Sequence, residues 1–163
     1  MLEIRKLNKE KDLDNLLFVI QESFMTVVKE LNLTKENAPT NPAFLTMEKL
    51  LESIEKKVDF YIAFNNNEMC GSVGIQPGKE EGEYYIERLA VLPEYRHNQY
   101  GKKLLDKAIE EIIMRKGKYI SIGIINENIK LKKWYLDYGF IENGTRRFEH
   151  LPFTVCFMGI DLK

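Results

Sequence analysis

The apolar positions change period several times along the chain, and each change marks an element. Leu2 and Ile4 alternate with Glu3 and Arg5, which predicts a half-buried strand over Leu2 to Leu7. From Asp12 to Leu31 the spacing becomes helical, with Leu13, Leu16, Leu17, Ile20, Phe24, Val27, Val28 and Leu31 on one stripe. Leu33 to Pro42 carries two prolines among Asn and Thr and reads as a loop. Thr46 is placed to N-cap a helix whose apolar face is Met47, Leu50, Leu51 and Ile54. Lys49 stands where a capping box has Glu or Gln, so that box is incomplete. Val58 to Phe64 and Glu68 to Ile75 are strands joined by a turn at Asn65-Asn66-Asn67. Gly71 and Gly74 predict a bulge or a close backbone approach within the second of them.

A charged hairpin, Gly78 to Gly82, leads into a third strand ending at Val91. An amphipathic helix follows, carrying Leu104, Leu105, Ala108, Ile109, Ile112 and Ile113, with Gly117 expected at its C-cap. The apolar run Tyr119 to Ile125 is then a buried strand reached by a helical crossover, which makes it parallel to the strand before the helix. Asn128 to Tyr138 is a short helix stopped by Gly139, and Phe140 to Arg147 and Phe153 to Ile160 are closing strands. Antiparallel hairpins plus one parallel crossover predict an α/β fold: a mixed sheet with helices on both faces. With no linker, repeat or low-complexity tract, residues 1–163 are expected to form one domain.

Composition narrows the function classes. A chain that is 44% hydrophobic and 30% charged is that of a soluble globular protein. The formal charge of −1 gives no general attraction to nucleic acid. No apolar run reaches the roughly 20 residues of a membrane span, and the N-terminus lacks an apolar leader core. Cys70 and Cys156 are far apart and without metal-ligand spacing, so both are expected as reduced, buried thiols in a cytoplasmic protein that holds no metal.

The chemistry concentrates between Tyr84 and Met114. The positive end of a helix dipole should attract acids. Here Arg96, His97, Lys102 and Lys103 surround the first turn, and no acid lies between Glu94 and Asp106. Free N–H groups at a helix start already favour an anion, and added cations suit a polyanion such as a pyrophosphate. A solvated charge run, with its lysines turned away, would give the same spelling. Neither G-x-x-x-x-G-K-[ST] nor G-x-G-x-x-G after a strand is present. Arg96-His97-Asn98-Gln99-Tyr100-Gly101 does resemble the R/Q-x-x-G-x-G/A motif of the GNAT acyltransferases. The preceding Leu89-Ala90-Val91 and the following Leu104-Leu105 also fit that family. Gln99 departs from it, standing where glycine is usual. Asn128, Tyr135, Gly139 and Phe140 resemble the family's second signature, N-x-x-A-x-x-x-Y-E-K-x-G-F, with Leu131 in place of its alanine. Two signatures in the right order are far more specific than either alone.

The resemblance implies an acetyl-CoA-dependent N-acetyltransferase, acting on a primary amine by direct attack on the thioester. It implies a bulged central strand that splays from its parallel neighbour. The Leu89 backbone would polarise the thioester carbonyl, Ala90 and Val91 would flank the pantetheine, and the backbone from Arg96 through His97, Asn98, Gln99 and Tyr100 to Gly101 would hold the pyrophosphate, with Lys102 just beyond it. Asn128, with Lys132 or Lys133, would lie on the cofactor's other flank. An alkyl amine with a pKa of ~10.4 is mostly charged at neutral pH, a deficit of roughly 4–5 kcal/mol in free base. Glu87 is the candidate general base, against a plain role as partner to Arg88. Tyr135 is the candidate acid for the leaving thiolate, against a plain role as a core aromatic. His97 is expected on the phosphate side or exposed. Arg146, Arg147, Glu149 and His150 lie in the last hairpin, which the resemblance would place beside the acceptor site, against a plain reading as a solvated hairpin; Phe24, Phe44 and the loop between them are candidates for the acceptor wall.

A small-molecule amine is the expected acceptor, because the long excursion from Asp12 to Phe44 favours a covered site. The alternatives are a protein or peptide amine, or an acyl-CoA sensor without turnover, for which Gln99 is the best support. An RNA-binding module lacks the aromatic interleaving and positive charge it would need. A homodimer is left open, and no nucleic acid or membrane partner is expected.

Overall fold

The computed structural model of the protein describes residues 1–162. Its strands are β1 (Leu2–Lys6), β2 (Asp59–Asn65), β3 (Glu68–Pro77), β4 (Glu83–Val91), β5 (Tyr119–Ile125), β6 (Ile141–Arg147) and β7 (Thr154–Asp161). Its helices are α1 (Leu13–Glu30), α2 (Met47–Glu55), α3 (Tyr100–Met114) and α4 (Ile129–Tyr138), with short 3-10 turns at Pro42–Phe44 and Pro93–Tyr95. All strands join one sheet in the order β1-β2-β3-β4-β5-β7-β6. Only the β4–β5 pair is parallel, as a crossover through α3 requires.

The sheet buries both faces of its first half, because side chains alternate along each strand. Tyr61, Ala63, Val73, Ile75, Ile86, Ile120, Ile122 and Ile124 pack with Leu104, Leu105, Ala108 and Ile112 of α3 and Tyr135 of α4. Phe60 and Ile62 pack on the other face with Leu16, Val19 and Ile20 of α1 and Leu50 of α2. The periodicities in the sequence are therefore those of the observed elements, with helices on both faces as expected.

Local expectations hold at the caps with one exception. The Thr46 hydroxyl accepts from the Lys49 N–H at 3.2 Å. Gly139 follows α4 in the left-handed region at φ 127°. Gly117 does not play that part for α3: the left-handed residue there is Lys116, at φ 64°. Gly117 is needed for space, since a Cβ on it would overlap Ile112 and lie 2.9 Å from the Tyr84 ring. Gly71 and Gly74 make the expected close approaches; a Cβ on Gly71 would sit 2.7 Å from the Ala90 carbonyl oxygen. Cys70 and Cys156 are both buried and free.

Candidate active site

The site is built where β4 breaks its pairing on both sides. Against β3 the register runs Gly71↔Val91 and Ser72↔Ala90, then shifts to Gly74↔Glu87. Arg88 and Leu89 thus share the place opposite Val73, a β-bulge, and Arg88 takes φ 51°. A left-handed arginine costs about 1 kcal/mol or more, so contacts must hold it. The Ser72 hydroxyl donates to the Arg88 carbonyl at 3.2 Å, and the Arg88 guanidinium donates to Ser53 Oγ of α2 at 2.7 Å. On its other side β4 pairs with β5 only over Glu83↔Tyr119, Tyr84↔Ile120 and Tyr85↔Ser121. Beyond Tyr85 the two strands part, while β5 stays paired with β7 as far as Ile125. The result is a wedge-shaped gap with the bulge on one wall.

The loop after β4 leads to the wide end of that gap. His97 and Gln99 both adopt left-handed φ, 66° and 67°, with Asn98 between them outside that region. Alternation of this kind turns successive backbone N–H groups toward one side, a shape suited to anions. Gln99 therefore keeps the conformation for which glycine is the usual choice, at a cost in strain. It is also the N-cap of α3, and its side chain caps nothing. The helical ladder begins with the Lys103 N–H on the Gln99 carbonyl at 3.0 Å, and the first turn holds no acid. Tyr100, Gly101 and Lys102 thus sit in a helix start whose backbone donors lack intrahelical partners.

The side chains of this stretch are less uniform than their spelling. Arg96 turns inward: Nε donates to the Val91 carbonyl at 2.9 Å, Nη1 to Thr26 Oγ1 at 3.1 Å and Nη2 to the Ser23 carbonyl at 2.7 Å. Its guanidinium clamps the loop to α1, and burial lowers its pKa. Asn98 caps the turn, donating to the Tyr95 and Arg96 carbonyls. Lys102 pairs with Asp106 at 3.2 Å and lies over the Tyr138 ring. Lys103 has no ion-pair partner among the described residues. Gly101 opens toward the gap; a Cβ there would meet the Trp134 ring at 3.5 Å and Val91 at 3.9 Å.

Glu87 stands immediately before the bulge. Burial pushes its carboxyl above the ordinary carboxylate range, and the Arg88 charge only partly opposes this. Its ion pair with Arg88 is long, 3.7 Å, and 30% of its side chain still reaches solvent. Tyr135 comes from α4 and is buried, packed edge-on against Trp134 and Phe140. Burial raises its pKa well above that of a free phenol. No protein group hydrogen-bonds its hydroxyl among the described residues, and the hydroxyl is not sealed off from solvent. Asn128 has a structural duty, since its side chain accepts from the Leu131 N–H at 3.3 Å and caps α4. The alternative flank residues are engaged too, Lys132 with Asn126 and Glu142, and Lys133 with Asp137.

The excursion from α1 to α2 closes one end of the site. Phe24 and Phe44 join Val28, Leu33, Ala38 and Ala43 in a small cluster that also includes Ile125 of β5 and Phe153 before β7. A cleft of about 220 Å³ lies beside it, between Glu30 and Leu31 at the end of α1 and Glu127 and Asn128 before α4. A second cleft, of about 400 Å³, lies between Phe18 of α1 and the β2–β3 hairpin and holds none of the residues expected in the site. Beyond β4, the face on the α1–α2 side carries Gly123 and Phe157 in register, both exposed, Phe157 by 41%. Arg146, Arg147, Glu149 and His150 are exposed at the hairpin tip, with Arg146 stacked on Phe148.

Comparison with known proteins identifies the family. The family model described as "Acetyltransferase (GNAT) family" matches residues 25–140. The chain belongs to the GNAT acetyltransferases. It is thus an acetyl-CoA-dependent N-acetyltransferase by family. Solved structures share its fold over almost its whole length. PaiA N-acetyltransferase from Thermoplasma acidophilum, in complex with coenzyme A, superposes with a TM-score of 0.82 at 23% identity, covering 99% of each chain. The ribosomal-protein-S18-alanine N-acetyltransferase of Escherichia coli gives 0.79 at 17% identity, covering 100% of this chain and 95% of its own. An N-acetyltransferase from Staphylococcus aureus Mu50 gives 0.76 at 17% identity, covering 100% and 99%. No helix among the described residues is long and apolar enough to cross a membrane.

Ser72, Ser53 and Thr26 belong to this site's framework and carry no motif of their own. The only sequence signal near Ser72 is its position between Gly71 and Gly74. Nothing in the spelling points to Ser53 or Thr26.

Proposed function

We propose that the protein transfers an acetyl group from acetyl-CoA to a primary amine of a small molecule, by direct attack in the gap between β4 and β5. The observation that carries this reading is the parting of β4 from β5 at the Arg88–Leu89 bulge. It leaves strand backbone unpaired beside a left-handed loop and an uncapped helix start. The Leu89 N–H donates to the thioester carbonyl and stabilises the oxyanion that forms there. The backbone of Ala90 and Val91 lies along the pantetheine. The N–H groups from His97 to Lys102 hold the pyrophosphate and Lys103 adds charge, while the Arg96 N–H is already bonded to the Pro93 carbonyl at 3.2 Å. Asn128 borders the cofactor through α4, which it caps.

Glu87 takes the proton of the incoming ammonium, directly or through one water. Its raised pKa brings it closer to that task than an ordinary carboxylate. Tyr135 offers a hydroxyl that has no protein partner to lose, and gives its proton to the departing thiolate. Thioester aminolysis of this kind needs no metal. Phe24, Phe44 and Phe153 bound the acceptor pocket, which favours a small amine.

A second reading has its own support. The bare face around Gly123 and Phe157 leaves room for a chain segment, so a protein N-terminus or lysine is the alternative acceptor. Both readings meet one experiment, thiol release from acetyl-CoA with a panel of alkyl amines, amino acids and peptides. Turnover confined to small amines supports the first reading. Turnover confined to peptides replaces it with the second, and tight binding of acetyl-CoA without turnover on any amine leaves a sensor.

A further inference from the structure

We propose that Ser72 is a positioning residue for acetyl transfer: its hydroxyl fixes the Arg88–Leu89 peptide so that the Leu89 N–H faces the gap. The inference rests on the reading of Leu89 N–H as the thioester's donor, and it assigns the group that aims it.

Ser72 lies in the middle of β3 and is 0% exposed. Tyrosines aside, only two other polar or charged residues are buried among the described residues, Asp12 and Ser23, and both are less enclosed than Ser72. Asp12 is held by Arg5, and the Ser23 hydroxyl has no partner. The Ser72 hydroxyl donates to one acceptor, the Arg88 carbonyl, at 3.2 Å. A buried hydroxyl kept for packing alone is costly, so this bond is the reason to have oxygen there.

The bond decides a direction. Arg88 and Leu89 have no partners of their own in the β3–β4 register, so the ladder does not orient the peptide between them. Arg88 is held at φ 51°, a conformation it would leave if its contacts were lost. In a planar trans peptide the C=O and the next N–H point in opposite directions. Holding the Arg88 oxygen on Ser72 of β3 therefore turns the Leu89 N–H away from β3. On that side β5 has already parted from β4, and the N–H meets the gap instead of a strand. Ser53 supports the same residue from α2, through the Arg88 guanidinium at 2.7 Å.

Without the Ser72 hydroxyl the Arg88 carbonyl loses that donor, and the peptide is freer to rotate toward other partners. The donor is then misdirected, while the loop at Arg96 to Lys102 is untouched. The variant should still bind CoA and should polarise an acetyl thioester poorly.

The test uses acetyl-CoA labelled with carbon-13 at the thioester carbonyl. Its resonance is compared free, bound to the wild type and bound to Ser72→Ala, Ser72→Cys and Ser72→Thr. CoA itself, which has no acetyl carbonyl, is titrated calorimetrically into each. Cys fills the same volume with a weak donor, and Thr keeps the hydroxyl. The expected result is a downfield shift in the wild type, more than half of it lost in the Ala and Cys variants and retained in the Thr variant. CoA affinity should stay at the wild-type level in all of them. A full shift in both Ala and Cys variants would overturn the role of Ser72. Tight binding with no shift in the wild type would overturn the Leu89 assignment, and the proposal with it. Equal losses of CoA affinity and shift in the Ala and Cys variants would mean a merely structural serine.

Discussion

Replacing Gly101 with alanine should stabilise the fold and leave cofactor binding nearly intact. Gly101 is the second residue of α3. Alanine is favoured over glycine in a helix interior by up to about 1 kcal/mol, and roughly half of that is expected in a first turn. The new Cβ would lie 3.5 and 3.9 Å from two Trp134 ring carbons and 3.9 Å from Val91 Cγ2, ordinary contacts that cost nothing. Stability should thus rise by about 0.5 kcal/mol, or ~1–2 °C in Tm for a domain of this size. The motif that this loop resembles takes Gly or Ala at this position, so the methyl should fit beside the proposed cofactor. The Kd for CoA should therefore stay within about threefold of the wild type, a change below ~0.7 kcal/mol. Thermal unfolding and calorimetric titration of the same sample read both. A tenfold or greater loss of CoA affinity would refute the placement of Gly101 at the motif's small-residue position, and a fall in stability would refute the account of the glycine.

Tyr135→Phe removes a hydroxyl that no protein group uses, so stability should move by less than about 0.5 kcal/mol, while turnover drops; a loss of stability instead would show a hidden structural bond. Arg96→Ala removes three hydrogen bonds to Val91, Thr26 and Ser23. It should cost about 2–3 kcal/mol, seen as a Tm lower by roughly 4–12 °C. Lys103→Ala should leave Tm in place and weaken CoA binding by an amount that shrinks with added salt. Glu87→Gln should abolish most turnover and raise stability at neutral pH. The sign follows from the raised carboxyl: the folded state holds that proton more tightly than the unfolded chain, so wild-type stability is lost as pH rises through the raised value. The advantage of Gln should therefore be absent in acid and appear in denaturant melts toward neutrality, with the acid limb of kcat/KM set by the same group.

The order of elements was legible because each amphipathic period is long enough to be unambiguous. Thr46 and Gly139 were legible as caps because their side-chain and backbone chemistry is local. Gly117 was misread because its role is non-local: the space it leaves is filled by Ile112 and Tyr84, and the chain turns at Lys116 instead. The gap itself could be anticipated from the family resemblance but not from periodicity, since Tyr84 to Val91 alternates much as an unbroken strand would. Arg96 shows the same limit in charge. Basic residues near a helix start look alike in a sequence, yet this one faces α1, Lys102 pairs with Asp106, and Lys103 is without an ion-pair partner among the described residues. The serines that hold the bulge were invisible, because a hydroxyl on a strand or a helix announces nothing until its partner is known.

The most direct test of the central claim is to follow backbone amide resonances of the labelled protein as acetyl-CoA is added. The account predicts saturable shifts that concentrate at Leu89, Val91, Gln99 to Lys102 and the Trp134 indole, the two walls of the gap and its mouth. Shifts clustered instead around Phe18, Phe64 and Glu68 in the far cleft, or none at millimolar acetyl-CoA, would contradict it.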